Sequence, residues 1–347
     1  MSSLEMFENN NETSVVENVK LNNGDNMENN NNINRREILF LYDITNGNPN
    51  GDPLEENMPR VDEVTDINLV TDVRLKRTIR DYLHEYKGYD LFVSELRDEN
   101  DNVLDCKTRV EDYLPKDYKS KTKKGEYKKL LKDTVLSKCI DTRMFGAVIT
   151  LGDGSVNFQG PVQFNNANSL NKVEVKHIKG TGAFASDKGK GQKTFRDEYI
   201  LPYSLINFYG IVNETNAFKT GMTDEDVDVL MDGIWNGTKN IITRSKFGQL
   251  PRILLSVEYN TKGYHIGDLN NKISIDYECS DSKNIRSIND LSINVDVLLN
   301  ALLENKNKIE CIHYKIDSSV NFSNYENFNE VIKFLEDNGI CVNELDI

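Results

Sequence analysis

The stretch that most constrains this 347-residue chain runs from Arg36 to Asp81. It opens with REILFLYDI at 36–44, a largely apolar run that predicts a central strand. Asn-Gly-Asn-Pro-Asn-Gly-Asp-Pro at 46–53 then stops the strand, because Gly admits left-handed backbone and Pro fixes φ. A helix is predicted over 72–86, with Leu75, Ile79, Tyr82 and Leu83 on one face at helical spacing. Arg74, Lys76, Arg77 and Arg80 fill the remaining arc. Like charges this close repel by a few tenths of a kcal/mol per pair, roughly, and Asp72 and Asp81 offset part of that. The chain therefore begins as strand, turn-rich loop and basic helix. Two readings stay open here: an anion site, or an ordered surface turn beside a solvated helix face.

The pattern continues as a mixed α/β unit with insertions. Residues 87–138 are polar and rich in Tyr and Lys, with a helix over about 127–140. MFGAVITLGDGSVNFQGPVQF predicts strands at 144–151 and 156–164 around a Gly-Asp-Gly turn. Residues 167–197, rich in Gly and Lys, read as a mobile basic loop. A strand follows over 199–212, where Pro202 points to an edge or a bulge. Thr223 and Asp226 mark the cap of a helix reaching about Lys239, with Val227, Leu230 and Ile234 inward. A strand at 252–259 and helices near 288–304 and 324–337 complete the reading. This order fits a ferredoxin-like or RNA-recognition-motif-like α/β palm carrying large insertions. Residues 1–34, with 12 Asn, lack apolar periodicity and are expected to form a disordered tail.

The formal net charge of −14 argues against a surface that is basic all over. A polyanion needs only one basic track, however, and the charge is uneven. Residues 170–200 carry seven Lys or Arg against four acids, and 235–252 carry four against none. The five Cys form no CxxC pair and the four His are scattered, so zinc spacing is absent and the cysteines are expected to be reduced. No apolar run reaches the ~18 residues of a membrane span, and the N-terminus has no signal pattern, so a soluble cytoplasmic protein is expected.

Candidate binding residues fall into five groups. Asn46, Gly47, Asn48, Asn50 and Gly51 form a loop able to present backbone N–H groups to an anion, without a nucleotide-cofactor signature. Arg60, Arg74, Arg77 and Arg80 supply positive charge of the kind phosphates require. Arg143, Phe145, Gly146 and Gln159 place an aromatic and a cation by a sheet edge, although a phenylalanine such as Phe145 is more often a core residue. Lys176, His177, Lys179 and Lys193 lie on the basic loop, and Arg244, Ser245 and Lys246 lie between the second helix and the strand at 252. Catalysis is weakly supported. Asp43, Asp52, Asp62, Asp66 and Asp72 cluster in sequence but match no metal motif, no G-x-S-x-G elbow is present, and His177 lacks an evident partner. No cofactor or metal is expected.

DITNGNPNGDP, PRVD, VTDVRLKRTIRDYL, DTRMFG, GPVQF and ITRS occur in an order that resembles the backbone subunit of type I CRISPR surveillance (Cascade) complexes, most closely the type I-B form, over about residues 36–265. The resemblance implies a right-hand shape. Its palm would comprise 35–87, 139–166 and 198–265, with 266–347 completing it; 88–138 would be a finger-like insertion and 167–197 a thumb-like one. It further implies a non-catalytic protein that binds guide RNA (crRNA), assembles head to tail with copies of itself and with other subunits, and lets the guide pair with a target DNA strand. The alternatives are an endoribonuclease that processes guide precursor, with His177 as base, and a purely structural assembly protein.

Overall fold

The computed structural model describes residues 33–94, 101, 106–114, 123–151, 154–185 and 193–347, with backbone alone at 107, 181–185 and 193–196. The tail expected over 1–34 lies outside the described residues as far as 32; so do 95–100, 102–105 and 115–122 of the finger-like stretch, and Lys188 and Lys190 of the basic loop. In chain order the strands are β1 (Arg35–Gly47), β2 (Gly51–Asp52), β3 (Met58–Pro59), β4 (Val61–Asp62), β5 (Ile67–Val70), β6 (Gly146–Leu151), β7 (Gly154–Gln159), β8 (Val162–Phe164), β9 (Ala167–Lys172), β10 (Lys176–Ala185), β11 (Lys193–Val212), β12 (Gln249–Tyr259), β13 (Ser274–Tyr277), β14 (Leu291–Asn294), β15 (Ile309–Ile316) and β16 (Val342–Glu344). The described α-helices are α1 (Asp72–Glu85), α2 (Cys106–Glu111), α3 (Lys124–Lys138), α4 (Ile140–Phe145), α5 (Glu214–Thr220), α6 (Asp224–Lys239), α7 (Asp296–Glu304) and α8 (Phe328–Asp337).

β1 lies in the middle of a ten-stranded sheet ordered β16-β15-β12-β1-β11-β9-β5-β4, with β8 and β10 also paired to β11. Its unbroken apolar run follows from this position. Ile38, Phe40, Tyr42 and Ile44 enter one core under α1 and α6, while Leu39 and Leu41 enter a second core built largely by residues beyond 250. Within the sheet, β12, β1, β11 and the β8–β9 segment pair antiparallel. Together with α1 and α6 they follow the β-α-β-β-α-β order of a ferredoxin-like unit. The two helices pack closely because α6 is notched: a Cβ at Gly233 would stand 2.9 Å from Ile79, and one at Gly237 would stand 3.2 Å from the Thr78 carbonyl.

Four local differences from the sequence reading have physical causes. The hairpin β6–β7 is a sheet of its own, and its Ile149, Leu151 and Val156 pack with α2 and α3 in a third core, so it serves the insertion while only β8 joins the main sheet. The stretch read as a mobile loop contains β9 in the main sheet and β10 paired antiparallel to the first half of β11; Gly and Lys masked its strand character because a two-stranded arm needs no apolar face. Pro202 sits inside the sheet, not at its edge. It falls between the β10 pairing, which ends at Ile200, and the β9 pairing, which begins at Ile206, and across from it Asn46 has a φ of 51° and breaks the β1 ladder. A missing N–H costs nothing in that gap. Finally, Cys311 and Cys341, expected to be reduced, form a disulfide between β15 and the residue preceding β16, while Cys106, Cys139 and Cys279 are free.

Candidate nucleic-acid interface

At the C-terminal end of β1 three segments are stitched into one surface. The Asn48 N–H donates to the Ser245 carbonyl at 2.6 Å, the Asn48 Nδ2 donates to the Asn57 carbonyl at 2.7 Å, and Lys246 Nζ donates to the Asn48 carbonyl at 3.3 Å. Asn50 Oδ1 accepts from both the N–H and the hydroxyl of Thr71, each at 2.9 Å. Thr71 is in turn the N-cap of α1, its hydroxyl accepting from the Arg74 N–H. Gly47 is required here: a Cβ would stand 2.5 Å from Ile44 and 2.9 Å from the Ser245 carbonyl. Gly51 pairs with Pro59 in the small β2–β3 ladder. The loop is therefore architecture. Asn48 is buried and Asn50 holds a helix cap, which leaves Asn46 as the exposed asparagine of the three.

The structure sorts the candidate cations by partner. Arg60 pairs with Asp52 at 2.6 Å and Arg77 with Asp81 at 2.6 Å. Arg80 bonds Asp141 at 3.0 Å and lies 5.0 Å over the ring of Phe145, which is itself in the core. Arg143 grips Asp226 with two bonds, at 2.9 and 2.8 Å, and donates to the Leu136 and Ser137 carbonyls. Lys176 pairs with Glu174 at 2.6 Å, and Arg244, mostly exposed, reaches Glu198 only at 3.7 Å. Two half-buried cations differ from all of these: among the described residues, neither Arg74 nor Lys246 has a carboxylate within ion-pairing distance. Arg74 donates to the Thr78 hydroxyl at 2.9 Å. Desolvation lowers the pKa of Arg74, with the charge of Asp81 partly opposing it, and desolvation together with the charge of Arg74 lowers that of Lys246. Two desolvated positive groups that repel each other favour an anion between them.

The remaining candidates are placed as follows. Gly146 closes α4 with a φ of 76° and abuts the Gly160 backbone, where a Cβ would stand 2.4 Å from the Gly160 nitrogen. Gln159 is exposed at the end of β7. On the arm, His177 Nε2 lies 2.8 Å from Asp197 and the imidazole stacks on Tyr199 with centroids 4.5 Å apart, a pairing across β10 and β11 that the separation of these residues in sequence concealed. Tyr199 donates to Glu56 at 2.9 Å and so ties the arm to the 52–58 turn. Lys179 is exposed, and Lys193 begins β11 with its side chain outside the described residues. The clustered acids do not converge. Asp43 meets Arg252, Asp52 meets Arg60, Asp66 meets Lys283, Asp72 meets Lys76, and Asp62 accepts from the Val64 N–H. Among the described residues no three His, Cys, Asp or Glu side chains gather as a metal site, and no described helix is long and apolar enough to cross a membrane.

A ferredoxin-like α/β unit carries an inserted helical subdomain, a two-stranded arm and, under a turn-rich loop, two cations without carboxylate partners among the described residues. The family model described as CRISPR-associated protein Cas7 matches residues 34–296. The CRISPR-associated protein Cas7 of Haloferax volcanii is 31% identical over 304 residues, which span 81% of this chain and 86% of that protein. The chain belongs to the CRISPR-associated Cas7 family. A chain from a CRISPR RNA-guided surveillance complex in a pre-nicking state shares the fold at a TM-score of 0.50 and 12% identity, over 87% of this chain and 98% of that one.

Proposed function

We propose that this protein is a guide-RNA-binding backbone subunit of a type I-B surveillance complex, assembling with copies of itself and with other subunits along a crRNA whose bases pair with target DNA. The observation that carries this reading is the Arg74–Lys246 pair, two half-buried cations without carboxylate partners among the described residues, beneath a loop tied to both of their segments. A subunit that must accept any guide sequence suits phosphate recognition, since phosphates carry no sequence information. Membership of the Cas7 family supports the reading, as does the fold shared with a chain of a solved surveillance complex. Asp197 gives His177 the carboxylate partner that was not evident in the sequence, so the guide-processing reading is decided by incubating precursor RNA with the wild-type protein and with His177→Ala.

The test is binding of several single-stranded RNAs of unrelated sequence to the purified protein at varied salt. All should bind with similar affinity. Arg74→Ala combined with Lys246→Ala should weaken all of them alike and reduce the slope of log K against log salt by about 1.4, the share of two phosphates on a single strand. Absence of RNA binding by the wild-type protein, alone or with its complex partners, overturns the proposal.

A further inference from the structure

The turn that carries Lys246 also exposes large apolar side chains. Phe247 is 65% exposed and Ile242 68% exposed, on either side of Arg244 and Lys246, and Leu250 follows at the start of β12. This is not loose chain. The Lys246 and Phe247 N–H groups both bond the Thr243 carbonyl, at 3.2 and 2.8 Å, and the Ser245 carbonyl is held by Asn48. The fold thus fixes an aromatic ring in solvent, one residue from an unneutralised cation, where burial would have been favourable. Phe247 has no ring partner among the described residues, in contrast to Tyr82 with Tyr86 and His177 with Tyr199.

We infer that Phe247 is a stacking platform for a nucleobase, set beside the Arg74–Lys246 phosphate site so that one nucleotide is held by its phosphate and a neighbouring base by its face. The inference rests on the guide-RNA reading. A single strand offers an exposed π-face at every base, and stacking tolerates any sequence. A cation pair beside the ring selects a ligand that is anionic and aromatic at close spacing, which a strand of RNA is and an apolar protein surface is not.

The experiment compares wild type, Phe247→Ala and Phe247→Trp on a mixed-sequence RNA, on the same RNA with abasic positions, and on polyphosphate. Phe247→Ala should lose about tenfold in RNA affinity at an unchanged salt slope and bind polyphosphate as wild type does. Phe247→Trp should keep RNA affinity, and its fluorescence should be quenched by base-bearing RNA but not by the abasic strand; the native Trp235 is buried and gives a constant background. Wild-type affinity in Phe247→Ala, or fluorescence of Phe247→Trp that does not respond to RNA, overturns the inference. So does a variant that binds RNA normally but loads fewer copies per strand, since the ring would then serve contacts between protein chains. If Arg74→Ala with Lys246→Ala weakens RNA binding while Phe247→Ala does not, the stacking platform falls and the guide-RNA reading stands.

Discussion

Replacing Arg143 with Ala separates a structural cation from a binding one. The sequence placed Arg143 among the phosphate candidates, yet its guanidinium makes two bonds to Asp226 and also serves two carbonyls near the end of α3. Asp226 is at the same time the N3 residue of the α6 capping box, so the pair ties α4 to the start of α6. Removing one partner of a buried ion pair costs ~3–5 kcal/mol, because the other charge is left desolvated. The Arg143 side chain is 20% exposed, and Asp226 keeps the Thr223 N–H at 3.2 Å. The loss should therefore be smaller, about 2–4 kcal/mol, or roughly 3–6 °C in Tm for a domain of this size. Thermal unfolding by circular dichroism measures it, and RNA binding is measured on the same samples below the transition. Asp226→Ala should destabilise to a similar extent, and the double variant should lose less than the sum of the two. RNA affinity should be unchanged in all three. An Arg143→Ala protein with wild-type Tm and weakened RNA binding would refute the assignment.

Three further outcomes are expected. Burial raises the Glu258 carboxyl, but His313, Arg36 and Asn34 together outweigh it and hold its pKa at about 2, below the ordinary 4.5. A depressed carboxylate contributes stability that is present above pH 4.5 and lost as pH falls toward 2, so acid unfolding should shift to higher pH in Glu258→Gln, with at most about 3 kcal/mol at stake. Gly146→Ala forces a side chain into φ 76° and against the Gly160 backbone; a loss of about 2–4 kcal/mol by urea denaturation is expected, and an unchanged midpoint would refute the packing described. Thiol titration of the unfolded, unreduced protein should find Cys106, Cys139 and Cys279 reactive and Cys311 and Cys341 protected. Reduction should lower stability by about 3–4 kcal/mol, the loop-entropy value for cysteines 30 residues apart.

The sequence by itself determined the elements whose pattern is local. The apolar run of β1, the Leu75-Ile79-Tyr82-Leu83 face of α1 and the Thr223 cap of α6 all occur where periodicity and capping chemistry place them. The ordered motif blocks likewise pointed to the family. Tertiary structure alone decided which charges are free. Asp141 lies 61 residues from Arg80, Asp226 lies 83 residues from Arg143, and Asp197 faces His177 only because β10 and β11 pair. In the sequence only Arg77 has a carboxylate, Asp81, at helical i,i+4 spacing, and Arg74, Arg80 and Arg143 are equivalent cations. In the fold, three of the four have carboxylates and one, beside Lys246, has none among the described residues. Helical and strand periods are written in neighbouring residues, whereas neutralisation of a charge depends on whichever carboxylate the folded chain brings within a few ångströms.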